Sequence, residues 1–348
     1  MTRVIFLLLA FLPGLAFADF RAGLAAYKHG DYAAAARIFG GMAEQGDSAA
    51  QFALGLLYDK GQGVPRDDAK ALLWYTKSAD AGYAKAQYNL ALMYERGEGV
   101  KPDLDKAREW FRKAAQGGNS GALDHFRHLA EGGDVKAQSE LGVMALNGDG
   151  VKRDAAVALG WFQRAAAAGD AKAQYNLGWM YDSGTGTKAD AAKAIEWYGK
   201  AAAQQHPLAA YNLGYLYQNG IGVAADIGKA MDYYRSAAKA GNARAAFALG
   251  LAYATGTGVN KDETQAFKWY SQAALAGNAE AQVNLASAYA QGLGVDKDLV
   301  KAYAWYSLAK KQPIAAANLD AIAKLMDAAQ IQQAGTLAPT LLTANSSN

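Results

Sequence analysis

Near-copies of one stretch, Ala171 to His206, recur along the chain at a spacing of 36 residues, and no other feature narrows the fold so far. The register is marked by a pair of bulky aromatics: Trp74-Tyr75, Trp110-Phe111, Trp161-Phe162, Trp197-Tyr198, Tyr233-Tyr234, Trp269-Tyr270 and Trp305-Tyr306. One step breaks it, the 51 residues from Trp110 to Trp161. Periods of this length signify solenoids, propellers or arrays, in which each unit buries its apolar face only by stacking on its neighbours.

Within that stretch Ala173, Leu177, Gly178 and Tyr181 fall at i, i+4, i+5 and i+8, the stripe of an amphipathic helix and not the alternation of a strand. This predicts a first helix, A. It ends at Ser183-Gly184-Thr185-Gly186, where two glycines can take the positive φ that closes a helix and turns the chain. Asp190 then precedes a second helical run, B, which reaches about Ala203; its carboxylate suits the free N–H groups of a first turn.

Each copy repeats these parts. Gly-x-Gly turns begin at Gly61, Gly97, Gly148, Gly184, Gly220, Gly256 and Gly292, and the capping slot holds Asp67, Asp103, Asp154, Asp190, Asp226, Asp262 and Asp298. Where A must lie close to B the residue is Gly55, Ala91, Gly142, Gly178, Gly214, Gly250 or Ala286, because anything larger than a methyl group would hold the backbones apart. The aromatic pair on B fills the gap. The fold class is therefore all-α, a stack of antiparallel helix pairs.

The pattern "AQYNLGWMY…GTG…D…A..WY.KAA" resembles the Sel-one-like repeat, a branch of the tetratricopeptide superfamily, over residues 47–313 in seven copies. The resemblance implies an α-α superhelix, a right-handed solenoid of helix pairs, that serves as an adaptor or scaffold for other proteins, often in bacterial envelopes. It also implies that the A helices line the concave side.

Residues 1–18 place Arg3 before an apolar run from Val4 to Leu12, then Pro13-Gly14, then Ala16-Phe17-Ala18. This is the form of a secretory signal peptide cleaved after Ala18, and the run is far shorter than the roughly 20 residues needed to span a bilayer. A periplasmic location without an integral membrane span is the expectation. The chain has no cysteine, so packing alone must hold the exported protein together. A formal net charge of +3 over 348 residues gives no reason to expect nucleic acid or an anionic membrane as partner.

Residues 19–46 read as a shorter hairpin resembling an ordinary tetratricopeptide unit, with Ile38-Phe39 standing 36 residues before Trp74-Tyr75. Two full units follow over 47–118. Residues 119–133 form a truncated repeat of 15 residues. One lone helix in a stack of hairpins reverses everything after it unless it is placed outside the stack, so a kink is expected there. Five units resume over 134–313, residues 314–335 supply two capping helices for the last apolar face, and the polar tail 336–348 is expected to be disordered.

Candidate chemistry is sparse. Ser236-Ala237-Ala238-Lys239 forms the S-x-x-K of penicillin-binding proteins and serine β-lactamases, but no K-T-G or S-D-N partner occurs in the chain. His125 and His128 lie i, i+3 near Asp124 and Glu131, able to grip a metal from one helix face, yet four histidines in all make a poor ligand supply. No phosphate-binding glycine motif, G-x-S-x-G or H-E-x-x-H is present. No catalytic residue, metal or cofactor is assigned, and the chain reads as a non-enzyme.

Function then lies on the surface that stacking creates. In the Y-N-L-G register the first inward row is Phe52, Tyr88, Ser139, Tyr175, Tyr211, Phe247 and Val283. Beside it run Asn89, Glu140, Asn176, Asn212 and Asn284, the slot that in some tetratricopeptide domains holds an asparagine clamping a peptide. One turn on come Leu56, Leu92, Val143, Trp179, Tyr215, Leu251 and Ser287. Tyr175, Trp179, Tyr211 and Tyr215, with Asn176 and Asn212 between them, form the candidate patch for a protein or peptide partner, and Tyr88, Asn89 and Asn284 extend it. Other readings stay open: Tyr and Asn as structural consensus, with Asn bonded inside its own unit; an envelope enzyme of β-lactamase type; or a binder of peptidoglycan or exopolysaccharide.

Overall fold

The structure, a computed structural model, describes residues 13–343. The apolar run at 4–12 and the last five residues, 344–348, lie outside the described residues. Within them the chain forms nineteen α-helices and no strand. Consecutive helices pair: α1 (Pro13–Lys28) with α2 (Tyr32–Glu44), α3 (Ser48–Lys60) with α4 (Asp68–Asp80), and α5 (Ala84–Arg96) with α6 (Leu104–Gln116). The next helix, α7 (Ser120–Glu131), stands alone. Pairs resume with α8 (Val135–Asn147) and α9 (Ala155–Ala167), α10 (Ala171–Ser183) and α11 (Ala191–Ala203), and α12 (Pro207–Asn219) and α13 (Ile227–Lys239). They continue with α14 (Ala243–Thr255) and α15 (Glu263–Leu275), then α16 (Ala279–Gln291) and α17 (Leu299–Leu308), before α18 (Pro313–Ala323) and α19 (Ala328–Thr343). The described residues fall into two compact units, divided between Trp161 and Phe162.

The ladder of aspartates caps the B helices as predicted. Asp67 Oδ1 accepts the Lys70 N–H at 2.9 Å, and Asp103, Asp190, Asp226, Asp262 and Asp298 repeat the bond at 2.9–3.0 Å. The A helices carry a second ladder, in which Asp47, Asn119, Asp134, Asp170, His206, Asn242 and Asn278 accept from the third N–H of α3, α7, α8, α10, α12, α14 and α16. The close approach of A to B is real. A Cβ added to Gly178, Gly214 or Gly250 would meet the ring of Tyr198, Tyr234 or Tyr270 at 2.5–2.6 Å.

Five of the A-type helices are tied to the helix before them by a buried amide, while α12 and α14 have Ala210 and Ala246 in that slot. Nε2 of Gln51, Gln87, Gln138, Gln174 and Gln282 donates to the carbonyl eight residues earlier, that of Ala43, Ala79, Ala130, Ala166 or Ala274, at 2.8–3.2 Å. Such bonds contribute on the order of 1 kcal/mol each, and the larger part of stability comes from the apolar layer between helices. That layer is built of alanine, leucine and buried B-helix rings, as where Tyr198 packs with Ala194, Ala201, Ala209, Leu213 and Leu216.

The lone helix is part of the stack. Ala122, Phe126 and Ala130 of α7 are fully buried in one core with Phe111 of α6 and Leu141 and Met144 of α8. Its cap residue Asn119 donates from Nδ2 to the Ala84 carbonyl of α5 at 3.5 Å, as Asn242 of the α14 cap does to Pro207 of α12, so α7 begins in the place of an A helix. His125 then pairs with Glu95 of α5 at 3.0 Å. The following helix has an A-type sequence but lies beside the B-type α6: Arg108 joins Asp134 at 2.6 Å, Lys136 joins Asp105 at 2.5 Å and Arg112 joins Glu140 at 3.3 Å. Asp105 and Arg108 near the start of α6 thus meet Lys136 and Asp134 at the start of α8, and Arg112 one turn on meets Glu140, so the two helices run in the same direction. Consistently, Gly150, in the turn after α8, abuts Ala115 and Gln116 at the C-terminal end of α6, whereas Gly63 and Gly99 abut Tyr32 and Asp68 at helix starts. The lone helix therefore sets α8 in line with α6, and Ser139, Glu140 and Val143 do not continue the row of Phe52 and Tyr88, contrary to the single row the sequence predicts.

At the other end α18 stops at Ala323. The last helix does not end near Gly335 as the sequence predicts; it continues to Thr343 through residues assigned to a disordered tail. The cause is an apolar stripe: Ala334 and Ala338 pack on Ala304, flanked by Leu337 and Leu341.

Candidate functional site

Each first-row aromatic rests on the B-helix ring of its own hairpin. Tyr175 lies on Tyr198 with ring centroids 5.9 Å apart, Tyr211 on Tyr234 at 5.8 Å, and in the first unit Tyr88 on Phe111 at 5.8 Å. One face of each tyrosine is thus core, and only its outer edge is free to meet another molecule. The next row differs. Trp179, Tyr215 and Leu251 are 37%, 49% and 46% exposed, so α10, α12 and α14 carry three large apolar side chains outside the core.

The asparagines divide by what faces them across the hairpin boundary. Asn212 faces the Tyr198 phenol and Asn284 the Tyr270 phenol, and each favours the ionised form of its phenol against the upward push of burial. Asn89 lies beside Tyr75 in the same way, although the Tyr75 hydroxyl has no partner in hydrogen-bonding geometry. These amides reach the preceding hairpin, not their own. At the equivalent position before Asn176 the chain has Phe162, which has no hydroxyl. Asn176, half-buried between Tyr175 and Trp179, accordingly faces no phenol and has an amide uncommitted among the described residues.

Two cations approach the same edge. Arg244 of α14 lies close enough to Tyr175 of α10 to oppose the burial that raises its phenol. His206 stacks on Tyr175 at 4.6 Å, and its Nδ1 accepts the Ala209 N–H at 3.3 Å. Burial first, and Lys172 second, hold the imidazole below its ordinary value, with Asp170 opposing them. Lys172 and Arg244 are exposed and form no ion pair among the described residues. The sequence contains the signal that would have found them: they occupy one repeat slot 72 residues apart, with Leu208 between.

The structure thus gathers Tyr175, Asn176, Trp179, Tyr211, Asn212 and Tyr215 on α10 and α12 of the second unit. Asn284 lies farther along on α16, beyond α14, and Tyr88 and Asn89 belong to the first unit. The remaining candidates are dispersed. Ser236 and Lys239 are exposed on α13. His125 is engaged by Glu95 and lies tilted against Phe111 with centroids 4.3 Å apart, while His128 is exposed. Among the described residues no three His, Cys, Asp or Glu side chains gather as metal ligands, and no helix is long and apolar enough to cross a membrane.

Comparison with known proteins agrees with this architecture. The Sel1 repeat model matches residues 48–83, 84–119, 135–170, 171–206, 207–242, 243–278 and 279–313, and skips α7. A Sel1 repeat protein from Oxalobacter formigenes shares 32% identity over 89% of this chain and 88% of its own, with a TM-score of 0.56. The protective antigen c5321 of uropathogenic Escherichia coli, which displays an SLR fold, shares 29% identity over 94% of this chain and 92% of its own, with a TM-score of 0.36. No curated protein matches. Repeat scaffolds of this kind typically serve protein–protein interaction. With seven matched repeats spanning most of its length, the chain belongs to the Sel1 repeat family.

Proposed function

We propose that the protein is an exported adaptor that takes a segment of a partner protein along the exposed face of α10, α12 and α14. The observation that supports this most is the exposure of Trp179 and Tyr215 on adjacent A helices beside the uncommitted amide of Asn176. Large rings standing clear of the core are the side chains that dominate binding energy when a partner covers them. A primary amide offers both donor and acceptor to a peptide backbone. Lys172 and Arg244 add unpaired positive charge at one edge, which favours a segment acidic at that end. Export rests on the apolar run before Ala18, and beyond that point Phe20 of α1 is set 5.5 Å from Phe39. Cleavage after Ala18 would leave this contact in place, and the periplasm is the proposed compartment.

The test compares affinity capture from envelope extract by the wild-type chain and by Trp179→Ala/Tyr215→Ala, both carrying a C-terminal tag. The double variant should retain its helicity and lose the partner. Undiminished capture, or collapse of the fold, would assign the two rings to another role. Mass spectrometry of the tagged protein should give Asp19 as the mature N terminus, and an intact N terminus would refute processing.

A further inference from the structure

Between α12, α13 and α14 lies a cleft of about 200 Å³ walled by Ile227, Met231, Ala248, Leu251 and Ala252, with Tyr234 among its lining residues. No charged residue lines it. The cleft follows from departures from the repeat. Ala248 stands in the slot that holds Asn212 and Asn284 in the flanking A helices. With no amide there, the Tyr234 hydroxyl donates to Gln218 Oε1 at 2.7 Å. The phenol is therefore already satisfied, and of the other polar residues that line the cleft, Gln218, Thr255 and Thr257, the first accepts from that phenol while the Thr255 hydroxyl donates to the Leu251 carbonyl at 2.9 Å and lies 2.8 Å from the Thr257 hydroxyl. One repeat further on, the equivalent cleft is lined by Lys261, Glu263 and Asn284 and is charged. The cleft at Ala248 is of a different kind: it favours apolar surface and offers an ion nothing.

Its mouth opens on the face already described. Leu251 both lines it and stands half-exposed in the repeat row of Trp179 and Tyr215, and Tyr215 lies near enough to Tyr234 to influence its phenol. An apolar cavity of ~150 Å³ is enough to bind benzene, so the cleft has room for one large aliphatic side chain. Arg244 precedes Leu251 by two helical turns, about 10 Å along α14, which an extended peptide covers in about three residues.

We infer that this cleft receives a single leucine or methionine side chain from an acidic partner segment, with a carboxylate about three residues away directed at Arg244 and Lys172. The inference rests on the proposed binding face and assigns its specificity. Charge complementarity selects this occupant: unpaired cations at one end of the face, a neutral apolar cleft at the other.

The test uses the full chain and a set of synthetic acidic decapeptides. Each carries a fixed glutamate and, three residues on, Leu, Met, Phe, Ala or Lys. The wild type should hold the Leu and Met peptides about tenfold or more tighter than the Ala peptide, the ratio expected from burying such a side chain. Ala248→Asn, the residue of the flanking hairpins, and Ala248→Leu should each fill the cleft and bring that ratio towards one while preserving helicity. Trp179→Ala/Tyr215→Ala should weaken all the peptides alike. A wild type that binds the set without preferring Leu or Met, or a preference untouched by both Ala248 variants, overturns the cleft and leaves the face standing. Failure of every peptide to bind, or binding indifferent to the Trp179/Tyr215 change, overturns both.

Discussion

Replacing Gly292 and Gly294 by alanine, one at a time, tests how one hairpin is seated on the next. Both glycines hold positive φ, +76° and +69°, so either alanine bears a left-handed penalty of about 1–2 kcal/mol. Their surroundings differ. A Cβ at Gly292 would meet Lys297 Cβ at 3.6 Å, an ordinary contact, whereas at Gly294 it would lie 2.1 Å from the Glu263 carbonyl oxygen and 2.4 Å from its carbon. That obstacle is backbone at the start of α15 and cannot rotate away, so the turn between α16 and α17 must lift from its neighbour. Overpacking of this sort adds about 1–3 kcal/mol, and Gly294→Ala is expected to cost about 2–5 kcal/mol against about 1–2 kcal/mol for Gly292→Ala. Because the stability of a stacked array is a sum of unit and interface contributions, the extra loss should be local. Urea unfolding followed by circular dichroism measures its size. Amide hydrogen exchange locates it, with faster exchange in α16–α19 and little change in α10–α13. Equal losses for the two variants, or exchange accelerated evenly across the second unit, would refute the steric reasoning.

Three further outcomes are expected. Asn242→Ala removes the cap of α14, whose Oδ1 accepts the Ala245 N–H at 2.9 Å, and should lower unfolding free energy by about 1–2 kcal/mol; no loss in denaturant titration would show that cap to be dispensable. Because the folded chain depresses the His206 pKa, the unfolded chain binds that proton first, and stability should fall as pH drops through the ordinary histidine value of about 6.5. His206→Asn, which keeps a capping oxygen, should flatten the decline in melting temperature between about pH 7.5 and 5.5, and an unaltered decline would clear His206 of that role. Arg108→Gln breaks the pair with Asp134, 12% and 24% exposed, and should cost about 1–3 kcal/mol. Lys200→Gln at the exposed Glu196 pair should cost under about 1 kcal/mol, and similar losses at the two sites would show that burial does not separate them.

The repeating parts of this fold were legible in the residues because each has a local cause. Asp67 and its copies cap the next helix, and Gly178 and its copies admit a ring; both follow from backbone geometry within one hairpin. The buried glutamines were not legible, since Gln51 acts across a boundary on a carbonyl of the preceding helix. The same holds for Asn212, whose partner Tyr198 belongs to the hairpin before it. Trp179 and Tyr215 could be placed on one face by register, but register cannot tell a ring that packs from one that projects. Tyr175 and Trp179 differ by a single helical turn, yet one lies on Tyr198 and the other stands 37% exposed. The extent of α19 was hidden because Ala334 and Ala338 look like spacer residues until Ala304 is seen beneath them.

The unpaired α7 makes parity a property of this array. Inserting a whole hairpin lengthens a flank and leaves every motif on the side where it began, whereas inserting or deleting one helix exchanges the flanks for all that immediately follows. Of the three helices in the first unit written in the same code, α3 and α5 display it towards one side, while α8 displays it towards the side of α6. A lineage of such arrays could therefore move a recognition motif from one side of the stack to the other without altering a residue of the motif.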